Sequence, residues 1–156
     1  MQVKEIMSRE VITVRRATTL KQVLEKFAKF HIFPLVPVVE EDNRLVGIVS
    51  FNNLLSVFQL PGSQIIKNVP FLDEGEQDIF KVELTEEIGN LVIVEDIMER
   101  KFISINEETS LQEAYNLMKL HLKEEFPVVD KTGRLVGMIG VFDIVRELFR
   151  QKGIIK

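Results

Sequence analysis

Cysteine and tryptophan are absent from the 156 residues, and there are only one tyrosine and two histidines. The absence of cysteine excludes disulfides, thiolate nucleophiles and cysteine-ligated zinc or iron–sulfur sites. No apolar run approaches the roughly 20 residues that a membrane-spanning helix needs. The first six residues, Met-Gln-Val-Lys-Glu-Ile, lack the long apolar stretch of a secretory signal peptide. We therefore expect a cytoplasmic protein with no membrane contact.

Positive charge is in the minority, with 20 lysines and arginines against 24 acidic residues, a net charge of −4 and a pI near 5.3. Because nucleic-acid binding usually needs a basic face, no nucleic-acid partner is expected. Hydrophobic residues make up 46% and charged residues 28%, a balance typical of folded globular proteins. The length suits one compact domain or two small subdomains that share a core.

The usual catalytic patterns are also missing. There is no P-loop, no nucleophile elbow and no histidine pair with metal-binding spacing. His31 and His121 occupy equivalent places in the chain, but a metal ion would need further ligands, and none has suitable spacing nearby. We therefore expect no catalytic residues, no metal site and no enzymatic activity.

The chain does contain an internal repeat. Residues 37–55 recur as residues 127–145, with seven of 19 positions identical. The preceding parts match as well, since Ile-Met at 6–7 returns at 97–98 and Thr-Thr-Leu at 18–20 returns as Thr-Ser-Leu at 109–111. One copy alone would bury too little apolar surface to be stable, so the two copies should share a core.

Both copies predict the same order of elements. A β-branched run at residues 11–14 predicts a strand, and Thr18 or Thr19 is a suitable N-cap for the helix that follows. The apolar face of that helix is formed by Leu20, Val23, Leu24 and Phe27 in the first copy, and by Leu111, Ala114, Tyr115 and Met118 in the second.

A hairpin and a second helix complete each copy. The strands are expected at residues 37–39 and 45–49, with their counterparts at 127–129 and 135–139. Asn43 and Gly133 suit the positive φ that the two hairpin turns require. The last helices should begin near Asn52 and Phe142. The predicted fold class is α/β (α+β), built from two βαββα repeats.

The order Asp-Ile-Met, strand, helix, Pro-Val-Val-Asp, turn, Leu-Val-Gly-Met-Ile and Asp-Ile resembles the CBS domain, and two copies in tandem resemble a Bateman module. The resemblance implies CBS repeats at residues 3–57 and 94–150, packed with pseudo-two-fold symmetry. Residues 58–93 would form an acidic connector. It also implies a homodimer that regulates a separate, unknown protein.

The resemblance implies a ligand too, although no cofactor is required. Many members bind an adenosyl compound, such as AMP, ADP, ATP or S-adenosylmethionine, in the cleft between the repeats. Other members have no known ligand. The alternative to a sensor is therefore a ligand-free module for dimerisation or protein interaction.

The ribose-binding pattern of the family is a serine or threonine followed three residues later by an aspartate. The second copy has Gly140 and Asp143 at these positions, and the first copy has Ser50 and Asn53. Neither copy has the full pair, so two occupied sites are in doubt and the Asp143 site ranks first. The alternative is that these residues only cap and stabilise the helices that follow.

The adenine slot of the family is apolar and maps onto two stretches of this chain. The matching residues are Ile12, Thr13 and Val14 in the first copy and Phe102, Ile103 and Ser104 in the second, with Val128 and Met138 nearby. Ile139, next to Met138, is a further candidate ligand contact. Their alternative role is core packing. Arg146 is a candidate ligand contact, with a solvated surface position as the alternative. Glu124 and Glu125 stand where members that hold phosphates often have basic residues, which argues against a polyphosphate ligand.

The segment between the copies is strongly acidic. Residues 73–87 contain seven acidic residues and one lysine, a local charge of −6. The segment is either a solvated connector or a docking element for a partner, and the sequence leaves both open.

Overall fold

The computed structural model describes residues 1–57, 80 and 86–156. After a 3-10 turn at Val3–Glu5, the elements of these residues are α1 (Leu20–Lys26), β1 (Val36–Val39), β2 (Leu45–Val49), α2 (Phe51–Ser56), α3 (Glu86–Leu91), α4 (Val94–Ile97), β3 (Ile105–Asn106), α5 (Leu111–His121), β4 (Glu125–Val129), β5 (Leu135–Gly140) and α6 (Val141–Gln151). No helix among these elements has both the length and the apolar character that a bilayer crossing requires.

The predicted mixed α/β class is confirmed, because the elements form two small sheets with helices. One sheet pairs β1 with β2, and the other has the strand order β3-β4-β5. Strand β3 runs parallel to β4, whereas β4 and β5 are antiparallel and joined by a tight hairpin. The parallel pair places Ile105 beside Val128, and the antiparallel pair places Glu125 beside Gly140.

Side-chain caps fix the starts of α1 and α5. The hydroxyl of Thr19 accepts a hydrogen bond from the backbone N–H of Gln22 at 3.1 Å, and Ser110 does the same for Glu113 at 3.1 Å. Each cap satisfies one of the backbone donors that have no partner in the first turn of a helix. The N-cap prediction at Thr19 is confirmed.

The two hairpin turns also follow the sequence. Asn43 has φ 68° and Gly133 has φ 83°, as the turn chemistry predicts. The turns pair with each other, since Leu45 N–H donates to the Gly133 carbonyl at 3.1 Å and Leu135 N–H donates to the Asn43 carbonyl at 2.9 Å. The duplicated hairpins therefore meet at their tips.

Some elements differ from the expectation. Residues 11–13 join no strand, and only Val14 forms a bridge, which is parallel and made with Val38. In the second copy, the strand begins at Ile105. A β-branched run favours a strand, but its side chains alone do not determine the pairing. Leu24, expected on the buried face of α1, is 54% exposed.

The chain divides into two compact units. The first unit comprises Met1–Thr13, Val39–Gly47 and Arg100–Lys156, and the second comprises Val14–Val38 and Ile48–Glu99. The first unit has a core of Val3, Met7, Ile105, Ala114, Met118, Phe126, Val128 and Ile139. Buried apolar residues of the second unit include Val14, Val23, Phe27, Val36, Val38, Val49, Val57 and Val94.

Each unit combines parts of both repeats, because the leading segment of one repeat pairs with a strand of the other. In the first unit, Ser8 and Met138 exchange two backbone hydrogen bonds of 2.9 Å. In the second unit, Ile48 and Glu99 exchange bonds of 3.1 and 2.8 Å. A Cβ on Gly137 would lie 2.6 Å from the Ser8 carbonyl oxygen, so glycine is required for this approach.

The boundaries of the two repeats, 3–57 and 94–150, stay a prediction as a division into domains. Most of the predicted connector, residues 58–79 and 81–85, lies outside the described residues. The part of residues 58–93 that is described includes α3 and Phe80, whose side chain is 93% exposed.

Candidate ligand site

The candidate site of the second repeat lies where β5 ends and α6 begins. Gly140 is the last residue of β5, and Asp143 lies in the first turn of α6. The backbone N–H of Gly140 donates to Asp143 Oδ2 at 2.8 Å. This bond fixes the carboxylate at the helix N-terminus, where the helix dipole stabilises negative charge. The second carboxylate oxygen, Oδ1, is left to face other groups.

Arg146 binds that second oxygen. Its Nη2 atom lies 2.9 Å from Asp143 Oδ1, and its guanidinium carbon lies 5.1 Å from the centre of the Phe142 ring. The Asp143 side chain remains 23% exposed and that of Arg146 51% exposed. Because a carboxylate oxygen has two acceptor positions, Oδ1 can accept a hydroxyl group while Arg146 stays bound. The Asp143 carboxylate therefore keeps an acceptor position for a hydroxyl donor.

Gly140 leaves space where a hydroxyl side chain would stand. A Cβ at this position would lie 3.4 Å from the Glu124 carbonyl oxygen and 3.6 Å from Asp143 Oδ2. These are tolerable distances for a small side chain, so packing does not force glycine here. The absence of a hydroxyl side chain at Gly140 therefore distinguishes this site from that of Ser50 and is not caused by crowding.

The candidate site of the first repeat has the same backbone arrangement with different side chains. Ser50 N–H and Ser50 Oγ donate to Asn53 Oδ1 at 2.6 and 3.0 Å. Asn53 is almost fully buried, with 9% of its surface exposed. Its amide oxygen is therefore already occupied by two donors from its own chain. This pair works as a helix cap, which is the alternative interpretation given by the sequence.

The structure divides the predicted contacts between the two units. Val14, Ser50 and Asn53 belong to the second unit. The first unit contains Ile12, Thr13, Phe102, Ile103, Ser104, Val128, Met138, Ile139, Gly140, Asp143 and Arg146. Val128 and Ile139 are core residues, and Ile103 packs against that core. Ile12 and Ser104 are exposed, whereas Thr13, Phe102 and Met138 are half-buried. Ligand contact by any of these residues stays a prediction.

The CBS-domain model matches residues 3–60 and 94–150 of this chain. The chain belongs to the CBS-domain family. The matched segments are the two repeats, so the resemblance drawn from the repeated motifs is confirmed. A CBS domain-containing protein of Dictyostelium discoideum is 30% identical over 149 residues, covering 95% of this chain and 91% of its relative.

A second kind of CBS relative is much longer. Inosine-5'-monophosphate dehydrogenase of Bifidobacterium longum is 28% identical over 136 residues, which cover 86% of this chain but only 20% of the dehydrogenase. The similarity is thus confined to one fifth of that enzyme.

Solved CBS structures share the fold. CBSX2 of Arabidopsis thaliana, in complex with AMP, matches with a TM-score of 0.70 and 22% identity, covering 97% of this chain and 98% of CBSX2. The CBS domain pair of protein MJ0100, in complex with 5'-methylthioadenosine and S-adenosylmethionine, matches with a TM-score of 0.64 and 24% identity, covering 97% of this chain and 98% of that one.

The sequence did not predict the aromatic contact that orients Arg146. Phe142 lies four residues before Arg146 on α6, so the two side chains lie on one helix face, and this spacing was the available signal. His31 and His121 are both exposed. Within residues 1–57, 80 and 86–156, no three histidine or acidic side chains cluster in a way that could hold a metal ion.

Proposed function

We propose that this CBS pair is a regulatory module that binds one adenosyl-containing ligand through Asp143 and so controls a separate protein. The observation that carries the proposal is the carboxylate of Asp143, held by the Gly140 N–H at 2.8 Å with its other oxygen facing Arg146. CBSX2 with AMP and the MJ0100 pair with S-adenosylmethionine support an adenosyl ligand class.

A ribose offers two neighbouring hydroxyl donors, and an ionised carboxylate is their strongest acceptor. The Gly140 N–H orients the Asp143 carboxylate before the ligand arrives, which lowers the entropy lost on binding. Asn53 cannot match this in the first repeat, because its amide is uncharged and its oxygen already accepts two bonds from Ser50. We therefore expect one occupied site per chain. Binding regulates a partner only if the ligand prefers one of two conformations of the module.

The test compares Asp143→Asn with Asp96→Asn. Asp96 Oδ2 accepts a hydrogen bond from the Ile93 N–H at 3.1 Å, so both aspartates accept a bond from the N–H three residues earlier. Adenosine, AMP, ATP and S-adenosylmethionine are titrated by calorimetry. Because hydrogen bonds to charged groups contribute about 1.5–3 kcal/mol, Asp143→Asn should weaken binding roughly tenfold to hundredfold. Asp96→Asn should leave binding unchanged.

A melting experiment gives an independent readout. A ligand at 100 times its dissociation constant stabilises a protein by about 2.7 kcal/mol, which for this chain length corresponds to a rise in Tm of roughly 5–10 °C. If no adenosyl compound raises the Tm, the proposal is wrong and the ligand-free interaction module is favoured. Equal losses of affinity in both aspartate variants would also contradict it.

We also propose that the module acts as a homodimer through α6. This helix exposes Phe142, Val145, Leu148 and Phe149, at 72, 40, 49 and 43% of their surfaces. Beside them, a groove of about 500 Å³ is lined by residues including Leu111, Tyr115 and Ile144. A ridge and a groove on one face suit a two-fold interface, in which the same patch meets itself.

Sedimentation of Phe149→Glu tests this interface. The variant should be monomeric at concentrations where the unmodified chain is dimeric, since an isologous contact buries the new charge twice. Ile32→Glu introduces the same charge at another exposed apolar residue and should leave the dimer intact. A monomeric unmodified chain, or a dimeric Phe149→Glu variant, contradicts the interface.

The chain is proposed to be non-catalytic and cytoplasmic. The absence of catalysis is supported by the similarity of this chain to inosine-5'-monophosphate dehydrogenase, which covers only 20% of that enzyme. A module of this kind contributes binding, and the regulated protein contributes the activity.

A further inference from the structure

An arginine follows each hairpin turn, and the pairing of the turns brings the two arginines together. Arg44 and Arg134 lie directly opposite each other in an antiparallel bridge between the hairpin tips. The flanking bonds are donated by the Leu45 and Leu135 N–H groups at 3.1 and 2.9 Å, which makes the arginines a non-hydrogen-bonded pair. The Cβ atoms of such a pair lie about 4.5–5.5 Å apart on one face of the strands. The two guanidinium groups therefore extend from neighbouring positions.

Both arginines belong to the first unit and lie on its outer face. Side chains alternate along a strand, and Leu135, next to Arg134, is a buried residue with only 6% of its surface exposed. Arg134 and its partner Arg44 therefore point away from the core, and both are exposed. Within residues 1–57, 80 and 86–156, neither arginine forms an ion pair.

The close pairing of the two arginines is unfavourable by itself. Like charges directly opposite each other on an antiparallel pair destabilise it. The backbone bonds that join the tips come from the residues on either side of each arginine, so the guanidinium groups are not needed for the pairing. An anion held between the two guanidinium groups would replace this repulsion by two charge-assisted contacts.

The aspartates of the turns are oriented towards backbone donors. Asp42 Oδ1 accepts a hydrogen bond from the Arg44 N–H at 3.1 Å. Asp130 Oδ1 accepts bonds from the Thr132 N–H, the Thr132 hydroxyl and the Arg134 N–H at 2.8, 2.6 and 3.1 Å. The Thr132 hydroxyl is the main cause that lowers the pKa of Asp130, and the charge of Arg134 contributes least. These carboxylates therefore hold the turns together and do not bridge the arginines.

The net charge around the arginines is slightly negative, since four acidic residues accompany three basic ones. The residues are Glu40, Glu41, Asp42, Asp130, Arg44, Arg134 and Lys131. The local field therefore does not attract anions in general. An anion has to be held by direct contact, and arginine binds phosphate oxygens through two parallel N–H bonds. This requirement favours an anion with several oxygens that can reach both guanidinium groups over a halide ion.

We propose that Arg44 and Arg134 form a binding site for a small anion that contains a diphosphate group. Each guanidinium binds oxygens of the anion, which thereby connects the hairpin tips of the two repeats and offsets their repulsion. The site involves neither Asp143 nor an adenosyl group, so it goes beyond the proposed function. The diphosphate can be free or part of a nucleotide, and the experiment distinguishes these sources.

Titration of the full chain with sodium pyrophosphate tests the site by calorimetry and by NMR of the arginine Nε–H groups. We expect binding at low salt with a dissociation constant below about 1 mM, shifts of the Arg44 and Arg134 signals, and a higher Tm. Sodium chloride at the same ionic strength should produce none of these effects. Pyrophosphate has no ribose, so the result does not depend on ligand binding at Asp143.

Arg44→Gln and Arg134→Gln each remove one of the two guanidinium groups. Each should weaken pyrophosphate binding roughly tenfold to hundredfold, because hydrogen bonds between charged groups are lost. The double variant should lose little more, since the two residues share one anion. Lys131→Gln removes an exposed cation from the same turn and should change the affinity by less than about threefold. Without pyrophosphate, neither arginine variant should lower the Tm, because each removes a repulsion.

ADP identifies the source of the diphosphate. If Arg44→Gln weakens the binding of ADP as well as that of pyrophosphate, the site accepts the diphosphate of a nucleotide. If it weakens only pyrophosphate binding, the ligand is a free diphosphate. Both results support the site.

Three outcomes overturn the inference. The first is that pyrophosphate does not bind, or that sodium chloride has the same effect. The second is an equal loss of affinity in Lys131→Gln, which would show a general effect of charge. The third is that the arginine variants bind pyrophosphate unchanged and melt at a lower temperature, which would assign the two arginines a structural role.

Discussion

The two repeats start their last helix with the same backbone arrangement but with different side chains. In both, a strand ends, a helix begins, and a backbone N–H bonds to a side-chain oxygen three residues later. The first repeat uses the amide of Asn53 and keeps the Ser50 hydroxyl, whereas the second uses the carboxylate of Asp143 and has Gly140 instead. The fold therefore needs an acceptor at this position but does not need a charge.

The surroundings of Asn53 and Asp143 also differ. Asn53 is buried and its oxygen accepts two bonds from Ser50, while Asp143 is partly exposed and its Oδ1 atom is paired with the exposed side chain of Arg146. A duplicated fold can thus bury the acceptor side chain in one copy and leave it partly exposed in the other. The variants below test how far the two repeats differ, beginning with the largest expected effect.

Gly137 tests how strictly a repeat depends on the leading segment of the other repeat. In Gly137→Ala, the new Cβ would meet the Ser8 carbonyl at 2.6 Å and Met7 Sδ at 2.8 Å. We expect a loss of about 3 kcal/mol in the free energy of unfolding, measured with urea, because the bonds between Ser8 and Met138 must give way. Gly133→Ala is the control.

Gly133 has φ 83° but no atom within 4 Å of an added Cβ, so this variant carries backbone strain without a clash. Its expected loss is about 1 kcal/mol. Equal losses at the two glycines would show that the close approach of Ser8 contributes nothing to stability.

Asn53→Asp tests whether a negative charge alone is enough for the first repeat to bind a ligand. The new carboxylate keeps an acceptor for the Ser50 N–H and adds the negative charge that the second site has. We expect calorimetry with S-adenosylmethionine to report a stoichiometry rising from one to two per chain, together with a loss of about 1 kcal/mol in stability from the buried charge. An unchanged stoichiometry would mean that the closed environment of Asn53, and not its lack of charge, prevents binding.

The smallest expected effect concerns the hairpin turns. The hydrogen bond from the Thr132 hydroxyl, 2.6 Å from Asp130 Oδ1, is the main cause that lowers the pKa of Asp130 below its ordinary value, and backbone N–H groups and Arg134 add to it. The first turn has Asp42 in place of this threonine. Thr132→Val should therefore raise the pKa of Asp130, as followed by NMR titration of its carboxyl carbon.

The sign of the pH dependence follows from the direction of that shift. A carboxyl with a lowered pKa in the folded state contributes stability above its unfolded pKa, and loses it as the pH falls through the folded value. Thr132→Val should make the stability less sensitive to acid in that range. An unchanged pKa of Asp130 would show that the Thr132 hydroxyl is not needed to stabilise the ionised carboxylate.

Local chemistry made much of the fold predictable from the sequence. The positive φ at Asn43 and Gly133 and the N-cap at Thr19 depend on residues close together in the chain. Strand β2 has the predicted bounds, because an apolar run between a turn and a helix cap leaves few alternatives.

Long-range pairing was not predictable in the same way. Residues 11–13 have strand-forming side chains but are not in a strand, and the bonds of Ser8 and Glu99 reach across the repeats without leaving any local periodicity. At the candidate site, the sequence ranks Asp143 first, and ligand binding by this residue stays a prediction. The ion pair with Arg146 and the ring of Phe142 depend on side-chain conformations that spacing alone does not determine.

The segment at the start of each repeat forms backbone hydrogen bonds with a strand of the other repeat. The two halves of this chain are therefore complementary fragments. A cut within residues 58–79 would leave the bonds between Ser8 and Met138 and between Ile48 and Glu99 in place, since each pair joins backbone from opposite sides of the cut. Either half made alone would instead present two unpaired strand edges, which favour aggregation. Two separately produced halves should therefore reassemble on mixing, much as domain-swapped subunits do.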